Sequence, residues 1–265
     1  MRPLGLVGSL SRDLVDGRPA RPGGAVYYAA KALRLLGRRA EVLTKCAASD
    51  RALLRSLVAF GLPVTWSAAR ETTSFAFSYE GDQRQMTVAA VGDPWRPEEI
   101  EGALAGVRWL HVGALLRSDF PPDTLAELAR GRKLSLDAHA LVRSPEVGPL
   151  KLDADFDSSL LQYVQILKLS QEEAEALLGE VNETTISTLG VPEVVVTLGH
   201  AGSIVFAGGK FEQIQARPLG GIDPTGAGDS FAAAYLAARS TAHTPVGAAQ
   251  RASTLVTGML EGRLQ

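Results

Sequence analysis

Cysteine is nearly missing from the 265 residues, with Cys46 standing alone. An intrachain disulfide is thereby excluded, as is a zinc site built from several cysteines, and cysteine usage points to no oxidising compartment. Cys46 itself reads as a small buried hydrophobe. Long apolar runs are missing too. None approaches the ~18 residues of a membrane-spanning helix, and the apolar part of MRPLGLVGSLSRD is too short for a signal peptide. The expectation is a cytoplasmic chain with no membrane partner. Lys and Arg form no block and the formal net charge is -2, which leaves no electrostatic footprint for nucleic acid and makes small molecules the expected partners. His111, His139, His200 and His243 are too scattered for a histidine metal cluster. Neither G-x-x-x-x-G-K-[ST], H-E-x-x-H nor G-x-S-x-G occurs, so P-loop, zinc-peptidase and α/β-hydrolase readings lack their chemistry.

What is present is a chain 46% hydrophobic and 21% charged, able to bury a large core as one domain over residues 1–265. Leu4 to Ser9 reads as a buried first strand, 19–24 as a tight Pro/Gly loop, and Ala25 to Leu36 as a helix closed by Gly37. Arg39 to Thr44 reads as a second strand, Asp50 as the cap of a helix through Phe60, and Val64 to Trp66 as a further strand. Thr72 to Tyr79 and Arg84 to Val88 alternate like strands of a hairpin turning at Gly81-Asp82. They are read either as part of a small projecting sheet or as an ordinary edge hairpin. From Pro94 the chain alternates regularly. Helices are expected to start at Pro97, Pro121 and Ser170, and strands to cover Arg108 to Val112, Lys133 to Asp137, Gln165 to Leu169 and Val194 to Thr197. Ser203 to Ala207 and Phe211 to Ile214 read as a hairpin, and Thr244 and Pro245 as N-cap and N1 of a last helix to about Leu260. Strands separated by helices imply a parallel sheet covered on both faces, with ligands at the carboxyl ends of its strands.

The most informative stretch is GGIDPTGAGDSFAAAYLAAR, residues 220–239. Gly220, Gly221, Pro224, Gly226 and Gly228 make a loop, after which Phe231, Ala234, Tyr235 and Ala238 recur with helical period. The first N–H groups of such a helix lack intrahelical partners and its dipole is positive there, which suits a phosphate, while glycines let a ligand approach the backbone. Asp229 in that first turn can be a simple cap, or it can accept a proton from an attacking hydroxyl beside the anion site.

DPTGAGDSF closely resembles the C-terminal signature of the ribokinase-like (PfkB) carbohydrate kinases. That resemblance implies a three-layer α/β/α sandwich with a mostly parallel central sheet and a small β lid, contributed by about 12–22 and 72–90. It implies an anion hole at Gly226, Ala227 and Gly228 and a catalytic base at Asp229. The opening GSLSRDLVDGRPARPGGAVYYAAKALRLLG is similar to the family's N-terminal part, which assigns Asp13, Gly23 and Gly24 to the acceptor hydroxyls; read alone, they are equally turn residues. Tyr28 stands where many members carry Asn. DAHALVR looks like a segment that lays an Arg, here Arg143, over the acceptor, with His139 where Gln is commoner; alone, Arg143 is equally a solvated loop residue. Ser170 and Glu173 form a capping box, and they also fall on the family's N-x-x-E motif, with Ser for Asn, which links Glu173 to Mg²⁺ through water. VVVTLGHAGS resembles the nucleotide-side strand, placing Thr197 and Gly199 at ATP.

The expected activity is transfer of the γ-phosphoryl of ATP, with Mg²⁺, to a hydroxyl of a sugar or polyol, inositol-like ones included. A nucleoside acceptor is an alternative, since Tyr27 and Tyr28 can stack on a base or belong to the core. A nucleotide-binding sensor without turnover is another. The family's lid also implies a homodimer contact.

Overall fold

The computed structural model describes residues 2–15, 18–80, 83–216 and 224–264. Gly81-Asp82 and Gly220-Gly221, singled out above as turn and loop formers, lie outside them.

The strands are β1 (Leu4–Ser9), β2 (Ser11–Val15), β3 (Arg21–Gly23), β4 (Ala40–Ala47), β5 (Val64–Ala69), β6 (Ser74–Glu80), β7 (Gln83–Ala90), β8 (Trp109–Val112), β9 (Lys133–Asp137), β10 (Gly148–Pro149), β11 (Val164–Ser170), β12 (Glu193–Thr197), β13 (Ser203–Ala207) and β14 (Lys210–Ile214). Nine of them form one sheet in the order β14-β13-β12-β11-β9-β8-β1-β4-β5. From β5 to β12 neighbours run parallel, and β13 and β14 return antiparallel as a hairpin. Every residue of β1 is buried, as expected of a parallel strand covered on both sides.

Helices α1 (Ala25–Leu35), α2 (Leu54–Val58), α3 (Pro122–Ala129), α4 (His139–Val142), α5 (Gln171–Leu178), α6 (Glu183–Ser187), α7 (Ala227–Arg239) and α8 (Pro245–Leu260) supply the covers. Two apolar layers flank the sheet. Val195 of β12 joins α1, α2, α7 and α8 in one, while its neighbours Val194 and Val196 join α3 to α6 in the other. Among the described residues no helix is long and apolar enough to cross a membrane.

A second sheet, β10-β7-β6-β2-β3, is antiparallel except for the β2–β6 pair. Its Phe75, Phe77 and Val88 pack on Leu115 and Leu116 in the loop after β8. Arg70 and Asp93, just outside its β6–β7 hairpin, are joined by a hydrogen-bonded ion pair at 2.8 Å.

Three local expectations are corrected. Within 19–24, Arg21–Gly23 is a strand, because Pro22 pairs opposite Arg12 at the sheet edge, where a missing N–H costs nothing. Asp50 caps no helix: it lies inside a 3₁₀ turn, Ala48–Leu53, and its carboxylate turns to Arg12 at 3.6 Å. Pro97 opens only a 3₁₀ turn, Pro97–Glu99, because Gly102, Leu104 and Gly106 all take positive φ and end the helical path.

Candidate active site

Parallel pairing sets Lys168 of β11 beside Asp137 of β9 at the carboxyl edge of the sheet. Both are buried, with Nζ 3.5 Å from Oδ1. His139, two residues past Asp137, stands at the start of α4. Its Nδ1 lies 3.1 Å from the Ala114 carbonyl and its Nε2 3.0 Å from Glu173 Oε1. Glu173 reaches that point because the capping box holds it: Ser170 N–H donates to Oε2 at 2.8 Å, and Glu173 N–H donates to Ser170 Oγ at 3.2 Å. Arg143, at the end of α4, lies 3.7 Å from the same Glu173 oxygen.

Gly226 (φ 75) is the N-cap of α7, a left-handed geometry that favours glycine. A Cβ there would also meet Tyr28 Cδ1 at 2.2 Å, so the loop needs glycine for two reasons. A Cβ on Gly228 would stand 2.8 Å from Lys168 Nζ. Asp229 follows, with its carboxylate, that of Asp137 and the His139 ring within 4.8 Å of one another. Burial first, and then the Asp137 charge, push the Asp229 carboxyl up to about 6, against the lowering effect of His139 and Lys168. Glu173 is held well below its ordinary range by His139, Lys168 and Arg143 in spite of burial. His139 Nε2 is committed to Glu173 and Lys168 faces Asp137, so the cluster is a network of paired charges.

Two cavities meet over this network. One, of ≈ 580 Å³, is lined by the polar Ser11, Asp13, Arg143 and Asp229 and by the apolar Phe75, Phe77 and Met86 of the small sheet. Asp13 is oriented by Ser11, whose hydroxyl donates to Oδ1 at 2.6 Å. Gly23 does not line this cavity: a Cβ there would lie 2.2 Å from Asp13 Oδ2, so its bareness makes room for the carboxylate. Gly24 (φ 96) does line it. Tyr28 lines it as well, its phenol pushed up by burial and by Asp13 and Asp229, whereas Tyr27 packs edge-on to Tyr28 and against Phe60.

The other cavity, of ≈ 720 Å³, runs along the start of α7. Thr197, Gly199, Ala227 and Gly228 border its polar end, and Leu198, Phe231, Val256 and Leu260 its apolar side. Lys168, Ser170, Glu172, Pro224 and Gly228 border both cavities. The residues read from sequence thus sort themselves: Asp13, Gly24, Arg143, Glu173 and Asp229 to the first, Thr197 and Gly199 to the second, with Gly228 at the waist. Sequence reasoning missed Asp137 and Lys168. The signal was there, a lysine inside the apolar run VQILKLS and an aspartate ending KLSLD, both at the carboxyl ends of strands expected to be buried.

A doubly covered, mostly parallel sheet with an anion-suited helix start between two cavities is the architecture of an α/β protein that can bring an anionic ligand against a second small molecule. Residues 14–257 match the family model of the pfkB family carbohydrate kinases, and the chain belongs to that family. It is 26% identical over 261 residues to ribokinase of Bacillus subtilis (strain 168), spanning 90% of this chain and 86% of the relative. It is 33% identical over 184 residues to inositol 3-kinase of Zea mays, covering 63% of this chain and 45% of that one. Among solved structures, a sulfate complex of a pyrophosphate-dependent kinase in the ribokinase family superposes with TM-score 0.86 at 27% identity, covering 97% of this chain and 95% of the other. A complex of such a kinase with a pyrophosphate analog and myo-inositol gives TM-score 0.84, again at 27% identity, over 97% and 94%. The protein is a carbohydrate kinase for sugar or polyol acceptors.

Proposed function

We propose that the enzyme transfers the γ-phosphoryl of ATP to a hydroxyl of a sugar or polyol, inositol-like rings included, with Asp229 as general base. The observation that carries this reading is the position of Asp229, in the acceptor-side cavity and one residue from Gly228, which borders both cavities. The acceptor lies under the small sheet, which serves as its lid. Asp13 accepts hydrogen bonds from two of its hydroxyls, Gly24 lets the ring approach the backbone, and Arg143 closes the far side. The reacting hydroxyl donates to Asp229. A carboxyl raised to about 6 is ionised at neutral pH yet basic enough to take that proton as the bond to phosphorus forms. The N–H groups at Gly226, Ala227 and Gly228 receive the charge spread over the phosphoryl oxygens.

Mg²⁺ fits as a hydrated ion. Both Glu173 oxygens already accept from protein donors, and their remaining lone pairs suit a metal-bound water better than direct ligation. When bound there, it supplies charge neutralisation on the donor phosphates.

The second cavity supports ATP as donor: beyond Thr197 and Gly199 its apolar wall offers room and surface for a purine. Pyrophosphate is the second reading, favoured by the donor of the structural neighbours. Phosphate transfer from ATP and from pyrophosphate, each with Mg²⁺, is to be measured against pentoses, hexoses, inositols and nucleosides. Acceptor-dependent ADP release is expected, and it should fall by ~10² to 10⁴ in Asp229→Ala while ATP still binds. Transfer from pyrophosphate alone would reassign the donor, and near-normal turnover in Asp229→Ala would reassign the base. ATP binding without any acceptor-stimulated release would favour a sensor. Pairing of two small sheets in a homodimer is checked by light scattering.

A further inference from the structure

The two cavities meet at a waist of Lys168, Ser170, Glu172, Pro224 and Gly228. A group passing from donor to acceptor must cross that waist, and Lys168 is the only one of the five with a positive charge. Its side chain is 5% exposed, and its Nζ would stand 2.8 Å from a Cβ on Gly228, so the ammonium lies against the anion-hole backbone. Among the described residues its one ion-pair partner is Asp137, at 3.5 Å, too long for a well-formed hydrogen bond. Among the described residues the ammonium makes no well-formed hydrogen bond to a protein group, and Lys168 lines both cavities, which leaves its donors to a ligand at the waist. Asp137 in turn has no hydrogen bond on either carboxylate oxygen among the described residues, so it acts on Lys168 by charge and position. The Asp137, Glu173 and Asp229 carboxylates hold the buried ammonium charged against the cost of desolvation.

We propose that Lys168 is a further catalytic residue: its ammonium contacts the phosphoryl group in transfer and stabilises the negative charge on its oxygens, while Asp137 positions it. This rests on the placement of the donor's terminal phosphate at Gly228. An ammonium fixed there before the donor arrives meets the developing charge without reorganisation, the condition under which such a group favours the transition state over the ground state. It also serves any phosphoanhydride donor, since it addresses the transferred group and not what lies behind it.

Lys168→Met alone strands the Asp137 charge in the interior and can simply fail to fold. The informative variant is Asp137→Asn/Lys168→Met, compared with Asp137→Asn, each with a thermal melt. The double variant is expected to melt like the single one, to lose turnover by ~10² or more relative to it, and to keep the acceptor KM. Methylammonium added to the double variant should restore part of kcat, a readout that a packing role does not move. Turnover within a few-fold of Asp137→Asn would overturn the proposal, as would a matched loss of kcat and acceptor KM without methylammonium rescue. If Asp229→Ala keeps turnover while the double variant loses it, the base is misassigned and Lys168 stands; the reverse pattern removes Lys168 and leaves the base.

Discussion

Replacing Asp229 with Asn tests whether the proposed reacting centre is held at a cost to the fold. The Asp229 carboxyl lies at about 6 instead of its ordinary 3.8, chiefly through burial and then through the Asp137 charge. Such a group binds its proton more tightly folded than unfolded, so above pH ~6 the folded state carries a charge that the unfolded state would carry more cheaply. The cost is fully present above the folded value and disappears below the unfolded one. Moving a carboxyl from 3.8 to about 6 corresponds to about 3 kcal/mol, at ~1.4 kcal/mol per pH unit. For a domain of this size that is about 5 °C in Tm. Asp229→Asn keeps the shape, removes the charge, and should melt about 5 °C above wild type at pH 8 while losing turnover by ~10² or more. Differential scanning calorimetry from pH 4 to 8 reads both magnitude and sign. The gain must shrink as pH falls through 6 and be nearly absent at 4. A gain independent of pH, or a loss of stability at pH 8, would refute the electrostatic account of the site.

The other predictions concern the surrounding residues. His111, fully buried on β8 with Nδ1 facing Ser135 Oγ of β9, is lowered to about 4 by burial. It binds its proton less readily folded than unfolded, so its contribution is present above pH 6.5 and is lost as pH falls toward 4; His111→Asn should flatten that part of an acid-stability curve. Gly226→Ala sets a Cβ 2.2 Å from the Tyr28 ring at φ 75 and is expected to cut turnover severely and lower stability by ~1–3 kcal/mol. Gly37→Ala, with φ 61 and open space around it, should show only the smaller conformational cost and leave kcat alone. His139, bonded through both ring nitrogens to groups that accept, is raised by Asp137 and Glu173 against the lowering effects of burial and Arg143. An NMR pH titration of its ring should place the midpoint above that of an ordinary exposed histidine.

The parts of the fold legible in sequence are those fixed by local rules. KLSLD is a strand between the expected residues, the Thr244-Pro245 start fixes the last helix, and the Ser170 box closes as its spacing requires. Short elements escaped. α4 and α6 span one turn each, and β10 is two residues held by pairing with β7; none carries enough periodicity to be read. Asp50 misled because an aspartate before an apolar run has the composition of a cap, while the distant Arg12 decides where its carboxylate goes. The same reason hid half of the buried charge cluster. Gly226 to Asp229 is a contiguous motif and visible as such, whereas Asp137 and Lys168 meet only through the register of two parallel strands, information that no local spacing contains.

Every strand described lies before residue 215, and α7 and α8 follow them all. Of the residues lining the proposed acceptor cavity, Asp13 and Tyr28 come from the beginning of this order and Asp229 from near its end. A nascent chain that has reached residue 216 therefore holds its strands and the groups proposed to face the acceptor but not the proposed base, and one apolar face of the sheet still waits for α7 and α8. Synthesis stopped at that length yields a sticky, inert fragment and no partly active enzyme, so catalysis and burial of the last core face arrive together.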